Sequence, residues 1–553
     1  MQTRIVVIGA SAAGLRAAAR AKRLLPRAEV TVLDREEAIS VGACGLPYYL
    51  SGDVENPDKL RATPWGALRD PAFFRAVKDL DVKTGVEAVA IDRAGKVVRA
   101  RDAAGRELAF PYDKLVLATG ATPRWLPGVP KDHPRVSAFK TIDDAKRWRK
   151  ALEAREVERV AILGAGYIGC ELAEAFGGLW GCEVDLIEAA GHVLPQVLDP
   201  EMAALVQAHL EEQGVRVRTA CRVESLQERG DALVLATTRG EIETGHAICA
   251  LGFAPASGLA AAAGLAIGPT GGIVVDEGLC TSDPDVLAAG DCIEVVHAVS
   301  GRPAHVPLGS LANKQGRIAG DVLAGRDARF GPVAGSGVVK VFDLNVAATG
   351  LSEAAARRAG IAVEAVWGTF SDKAHYHPDD MTIQLKLVFR PGDGRLAGLQ
   401  AVGSGDVVRR VDVFAGLLAR GGRVDDLLDL EFAYAPPYAP PLDPLFVLGC
   451  AAKNQAADGV RSVAPATPLE GFRVLDVRTR GEAQARPLDR AVNIPLDELR
   501  ARLAEVPADA PVLVVCAKGP RSAEAARLLL NAGRERVSYL GGGTLMRVTT
   551  GEE

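Results

Sequence analysis

Two segments about 155 residues apart are built on one pattern, and that repetition constrains the fold more than any other feature of the chain. RIVVIGASAAG, residues 4–14, runs a β-branched strand into a glycine turn; an alanine-rich helix follows, and a second strand, EVTVLD, ends at Asp34. VAILGAGYIG, residues 160–169, leads in the same way to EVDLIE, ending at Glu188. In a dinucleotide-binding βαβ unit the first glycine makes the turn and the last lets helix pack on strand. The helix N-terminus faces a pyrophosphate, and an acid about 20 positions on takes a ribose hydroxyl. The first copy assigns Gly9, Ser11, Ala12, Gly14, Asp34 and the adjacent Arg35 to a nucleotide, with Ser11 where a middle glycine is usual. A generic strand–helix turn is the bland alternative, and strand, helix and acid agree against it. The second copy assigns Gly164, Gly166, Tyr167, Ile168, Gly169 and Glu188. Two such units imply two dinucleotides with electrons passing between them. An acid at the position of Glu188 accepts from a 2′-hydroxyl and repels a 2′-phosphate, which favours NADH and leaves NADPH open where an arginine overrides it.

Composition narrows the class. A chain of 553 residues, 48% hydrophobic and 24% charged, is long enough for three or four domains. A net charge of −5 argues against nucleic acid or an anionic membrane as partner. No apolar run reaches the roughly 18 residues of a membrane span. The N-terminus reads as a buried strand rather than a signal peptide, so a cytoplasmic protein is expected. Nine cysteines, an odd number without a CxxC pair, suit neither a disulfide framework nor zinc, and no metal site is expected. Seven read as small core residues. Cys44 and Cys516 differ, each lying in a loop beside glycine and ahead of a helix.

KLVLATGATP (114–123) and DVLAAGDCIE (285–294) each set a strand against a small-residue turn, Thr119-Gly120 and Gly290-Asp291. Together with the two fingerprints, in this order, they resemble the two-dinucleotide disulfide reductase superfamily over residues 1–450. The resemblance implies FAD on the first fingerprint, NAD(P)H on the second, Asp291 near the ribityl chain and a homodimer. The expected fold is α/β. A FAD-binding domain spans 1–112 with 260–330, an NAD(P)H-binding domain 113–259, and an α+β dimerisation domain 335–452. A linker at 453–468 leads to a C-terminal α/β unit, 469–553.

In SVGACGLPYYLSG, residues 40–52, the superfamily's usual second cysteine is absent. Cys44 could cycle through sulfenic acid, hold a mixed disulfide with a small thiol, or attack an external persulfide; a structural cysteine is the alternative. A helix N-terminus and nearby positive charge favour the reactive thiolate. Oxidases and peroxidases of this type carry a His in the first glycine loop, where this chain has Ala10 and Ser11, which argues against peroxide chemistry. Arg16, Arg20 and Arg23 share one helix face, suited to coenzyme A phosphates or simply to solvent.

The CGLPYY context, with YAPPY at 434–438, resembles the coenzyme A-disulfide reductase family. That resemblance makes Cys44 the redox cysteine. Ser40, the helix arginines, Asn313 and the Arg75–Lys78 neighbourhood become the coenzyme A contact region, and coenzyme A a further bound group. It implies that Tyr376 and Tyr434 serve the other subunit's active site, where a phenol can donate a proton to a leaving thiolate. Three departures, Ala43 for a frequent Asn, His377 for a frequent Tyr and Leu442 for a basic residue, point to a changed grip and a smaller substrate.

The C-terminal unit carries strands FRVLDVRT, AVNIPL and PVLVVC, then a helix and RVSYLGGG. The loop CAKGPR, 516–521, points successive N–H groups inward, an anion nest in which a thiolate or persulfide at Cys516 is stabilised, with Lys518 and Arg521 adding charge. Asp476 and Arg478 read as a bracing salt bridge. The unit resembles a single rhodanese domain. The combined expectation is an FAD-dependent reductase that uses NADH on a small persulfide, polysulfide or coenzyme A disulfide through Cys44, with Cys516 and Arg521 handling sulfane sulfur. A plain coenzyme A-disulfide reductase and a sulfur-carrier or redox-sensing module are the alternatives.

Overall fold

The computed structural model of the chain describes residues 3–506 and 510–547. The expected domain ranges include residues 1–2, 507–509 and 548–553, which lie outside the described residues. The chain divides into two compact units.

The first unit comprises 1–189, 221–297 and 301–333. One parallel sheet runs Val286–Ala288, Lys114–Leu117, Arg4–Ile8, Glu29–Leu33, Asp81–Lys83. A second holds Glu183–Ile187, Arg159–Leu163, His246–Cys249 and Val136–Ala138, again parallel and in that order. Such strands are covered on both faces, hence their unbroken apolar runs: Leu115, Val116 and Leu117 are buried, as are Ala161, Ile162 and Leu163. Each sheet has its own three-stranded antiparallel companion, Val86–Asp92 to Glu107–Pro111 and Val223–Arg229 to Gly240–Thr244. The internal repeat seen in the sequence is thus a repeat of architecture. One boundary moves: Lys114–Leu117, assigned with the second domain, pairs with Arg4–Ile8 in the first sheet.

The second unit comprises 190–220, 298–300 and 334–553. Its antiparallel sheet runs Gly337–Val341, Leu344–Gly350, Leu396–Gly403, Thr382–Phe389, Glu364–Ser371. Helices Val408–Leu418 and Pro444–Asp458 cover it through Phe414, Leu445 and Leu448. The stretch 190–220 clusters with this unit, where buried Lys386 meets Asp199 at 2.8 Å and Glu201 at 2.5 Å. The C-terminal sheet is parallel, in the order Arg461–Val463, Val537–Leu540, Val512–Val515, Arg473–Asp476, Val492–Asn493. The stretch 453–468 is therefore not a plain linker. Its start completes the helix Pro444–Asp458, and Arg461–Val463 is that sheet's edge strand.

Candidate active site

Both glycine turns are locked by close approach. At Gly9, φ +111°, a Cβ would lie 2.1 Å from the Ala118 oxygen, and at Gly14 one would lie 1.8 Å from the Gly9 oxygen. Gly164 and Gly169 repeat this, at 2.4 Å from the Ala250 oxygen and 1.9 Å from the Gly164 oxygen. Gly166 and Gly120 instead face open space, so a ligand can approach their backbone. The two acids also act alike. Ala10 N–H donates to Asp34 Oδ2 at 2.6 Å, and Ala165 N–H donates to Glu188 Oε2 at 2.9 Å. Each carboxylate braces its turn and keeps lone-pair capacity for a ribose hydroxyl. Ser11 starts the helix Ala12–Leu24 without capping it by its side chain, leaving the first N–H groups for phosphate.

The surroundings of these turns are equally specific. Ala12 is half-buried, and Arg35 is exposed beside Glu36 at 3.3 Å. Tyr167 is pushed up to about 12 by burial, with half-buried Ile168 beside it. Thr119 Oγ1 donates to the Ala256 oxygen at 2.7 Å, and Gly290 N–H to buried Gln315 at 2.7 Å. Burial raises the half-buried Asp291 carboxyl, with His305 and Lys140 opposing. Such tight turns, open glycines and paired acids fit two dinucleotides.

Cys44 lies in the short turn Ala43–Gly45 ahead of the helix Leu46–Ser51. That helix is held at its C-terminal end by the second nucleotide unit: Arg149 Nη1 donates to the Tyr49 oxygen at 2.9 Å and Trp180 Nε1 to the Leu50 oxygen at 2.8 Å. The electrostatics correct the sequence reading. Although Cys44 is exposed, loss of water around the sulfur pushes its pKa up, and the Glu171 and Asp291 carboxylates, rather than a cation, add to this among the described residues. Glu171, overlooked in the sequence, is raised to about 7, by burial first and then by Glu174. Its signal was its place two residues after Gly169 on the fingerprint helix. Above pH 7 its charge opposes the Cys44 thiolate. Glu171→Gln is therefore expected to shift Cys44 alkylation to lower pH, its rate at pH 8 rising about three- to tenfold. Iodoacetamide kinetics across pH 6–10 check this, an unmoved profile being the contrary result.

The expected basic face is only partly available. Arg16 and Arg23 are exposed, but Arg20 is not a ligand-seeking cation: it is bonded to Asp321 of the helix Gly309–Leu323 at 2.6 Å, with side chains 13% and 12% exposed. Close helix packing forces this, since Gly320 leaves room for Arg20 Cβ just as Gly316 does for Arg16 Cβ. Exposed Asn313 lies on that second helix, its amide donating to the Gly309 oxygen at 2.9 Å. Ser40 is half-buried at φ 57°, its N–H donating to the Ala10 oxygen at 2.9 Å. Ala43 is exposed, and Lys78 ends the helix Pro71–Lys78 half-buried.

In the second unit Tyr376 and Tyr434 meet. Both are exposed, and their mutual hydrogen bond raises the Tyr434 phenol. Ala374 N–H donates to the Pro436 oxygen at 3.3 Å, tying their segments together.

Cys516 is buried at the end of Val512–Val515. Gly519 N–H donates to its Sγ at 3.1 Å, and its thiol donates to Ser522 Oγ at 3.4 Å. Arg521 interacts with this sulfur, Cys516 being among the groups that raise its pKa after the Glu482 pairing; Glu482 holds it through two bonds of 2.7 Å and is itself lowered to about 2, first by that pairing. Lys518 is half-buried. Arg478 and Asp476 form the expected buried pair at 2.7 Å.

These sites coincide with known sequence families. Residues 3–312 match the pyridine nucleotide-disulphide oxidoreductase family, residues 337–443 its dimerisation domain and residues 465–545 the rhodanese-like domain. The chain belongs to the pyridine nucleotide-disulphide oxidoreductase family, whose cofactors are FAD and a pyridine nucleotide. The NAD(P)H coenzyme A polysulfide/persulfide reductase of Pyrococcus horikoshii is 36% identical over 452 residues, 81% of this chain and 98% of that one. The solved NAD-dependent persulfide reductase of A. fulgidus is 40% identical with a TM-score of 0.94, over 99% of this chain and 100% of that one. Reduced CoADR-RHD from Bacillus anthracis is 34% identical with a TM-score of 0.92, over 99% and 98%. Among the described residues no helix is long and apolar enough to cross a membrane.

Proposed function

We propose that the protein is an NADH-dependent reductase of low-molecular-weight persulfides, polysulfides or coenzyme A disulfide, acting through Cys44, with Cys516 carrying sulfane sulfur. One observation carries the reading: a single exposed cysteine beside a dinucleotide turn shares its chain with a second sulfur held by a backbone N–H. Gly9, Gly14, Asp34, Thr119, Gly120, Gly290 and Asp291 would hold FAD, and Gly164, Gly166, Gly169 and Glu188 the NADH. FAD, when bound, supplies a two-electron path from NADH to sulfur. Cys44 thiolate attacks the inner sulfur of a persulfide RSSH, forming a Cys44–S–S–R bond and breaking the S–SH bond, so that hydrosulfide leaves. Two electrons and a proton then cleave that disulfide to RSH and Cys44 thiolate. Attack on a sulfur with a low-pKa leaving group is the favourable direction of exchange.

Arg16, Arg23, Ser40, Ala43, Lys78 and Asn313 would line the path of a coenzyme A-sized substrate, and Tyr376 with Tyr434 would supply a proton. The dimerisation region supports a homodimer, and nine free thiols suit a reducing, cytoplasmic setting. Cys516→Ser tests the division of labour. It is expected to keep reduction of coenzyme A persulfide within about twofold and to abolish use of thiosulfate as sulfur donor, read as NADH-dependent sulfide release. Equal loss with both substrates contradicts the reading.

A further inference from the structure

We infer that Thr369, on the dimerisation domain's edge strand Glu364–Ser371, is a positioning residue for Cys516. The inference rests on reading Cys516 as the sulfur carrier. The Lys518 carbonyl and the Gly519 N–H belong to one peptide group, and in a trans peptide they point in opposite directions. On one side Gly519 N–H donates to Cys516 Sγ at 3.1 Å; on the other, Thr369 N–H donates to the Lys518 oxygen at 3.3 Å. Holding the carbonyl outward holds the N–H on the sulfur.

The hold is needed because Gly519, at φ +112°, puts no Cβ in the way of a flip of that peptide. A second loop is pinned in the same way. Thr544 N–H donates to the Cys516 oxygen at 2.8 Å, and Thr369 Oγ1 donates to the Gly542 oxygen at 2.7 Å. Gly542 N–H returns a bond to the Trp367 oxygen at 3.2 Å, and Trp367 Nε1 is itself anchored on Glu201 at 2.9 Å. Two residues of one strand thus fix both loops around a sulfur that belongs to another domain.

The test uses the full-length, flavin-loaded enzyme. Thr369→Val keeps the shape of the side chain and removes its hydroxyl. Sulfur transfer from thiosulfate to cyanide is expected to fall about tenfold in kcat with KM within twofold, Thr369→Ser to stay within twofold of wild type, and Cys44-dependent reduction of coenzyme A persulfide to be unchanged. Wild-type kcat in Thr369→Val, or equal loss in Thr369→Ser, overturns the proposal. Hydrogen exchange gives an independent readout in Thr369→Pro, which removes the N–H held on the Lys518 oxygen at an edge-strand position where proline is tolerated: the Gly519 amide is expected to exchange at least about tenfold faster there, and an unchanged rate counts against positioning. If the wild-type enzyme moves no sulfur to cyanide, the carrier reading of Cys516 fails, and the exchange comparison still decides whether Thr369 fixes the peptide.

Discussion

Cys44→Ser is expected to cut NADH-dependent sulfide release from coenzyme A persulfide by at least about a thousandfold, the scale of losing a covalent nucleophile. NADH still bleaches the flavin absorbance in this variant, because the two glycine turns and their acids are untouched. A serine hydroxyl cannot form a mixed disulfide, and its oxygen stays protonated at neutral pH. No other thiol can replace it. Of the nine cysteines Cys44 alone is exposed, while Cys170, Cys221, Cys249, Cys292 and Cys516 are buried. Stopped-flow absorbance with sulfide detection separates the two half-reactions. Loss of flavin bleaching together with turnover would point to a damaged cofactor site instead.

Lys386→Met is expected to lower stability by about 3–5 kcal/mol at neutral pH, the range for removing one partner of a buried ion pair. The Lys386 side chain is 1% exposed and meets Asp199 at 2.8 Å, Glu201 at 2.5 Å and Glu353 at 2.9 Å. Without it three carboxylates face one another with no cation between them. The pH dependence follows from the shifts. Burial alone would lower the Lys386 ammonium, but Glu201, Asp199 and Glu353 outweigh it and hold its pKa above the ordinary value. Its stabilisation is complete below the unfolded lysine value and is lost as pH rises through the folded one. Burial alone would raise Asp199, but Lys386 outweighs it and holds the carboxyl low, so that contribution is lost as pH falls through the folded value. Wild-type stability therefore holds from roughly pH 5 to 10. In Lys386→Met the carboxylates bind protons more readily than in the unfolded chain, and stability drops as pH rises from 5 to 8. Urea unfolding at pH 5 and pH 8 checks this: the deficit is expected to shrink at pH 5, and an equal deficit at both contradicts it.

The sequence made the local features legible and hid the long-range ones. Gly9, Gly14, Gly164 and Gly169 were readable because each answers a clash within one turn, and Asp34 and Glu188 because their spacing is set by one helix. Arg20 misled because its partner Asp321 is 301 positions away, and a helix face shows basic spacing whether or not an acid covers it. Arg461–Val463 is three residues long, too short to show a periodicity amid proline and serine. The charge around Cys44 came from Glu171 and Asp291, brought there by the second fingerprint helix and a distant strand end. Nothing near Cys516 in the chain announces Thr369, since the contact exists only where two domains meet.

The central claim is that electrons leave for substrate through the sulfur of Cys44. Mass spectrometry of the enzyme quenched after exposure to coenzyme A persulfide, with and without NADH, tests it most directly. The account predicts one coenzyme A in disulfide linkage on the Cys44 peptide without NADH and a free thiol there once NADH is added. Sulfide release with an unmodified Cys44 throughout would contradict it.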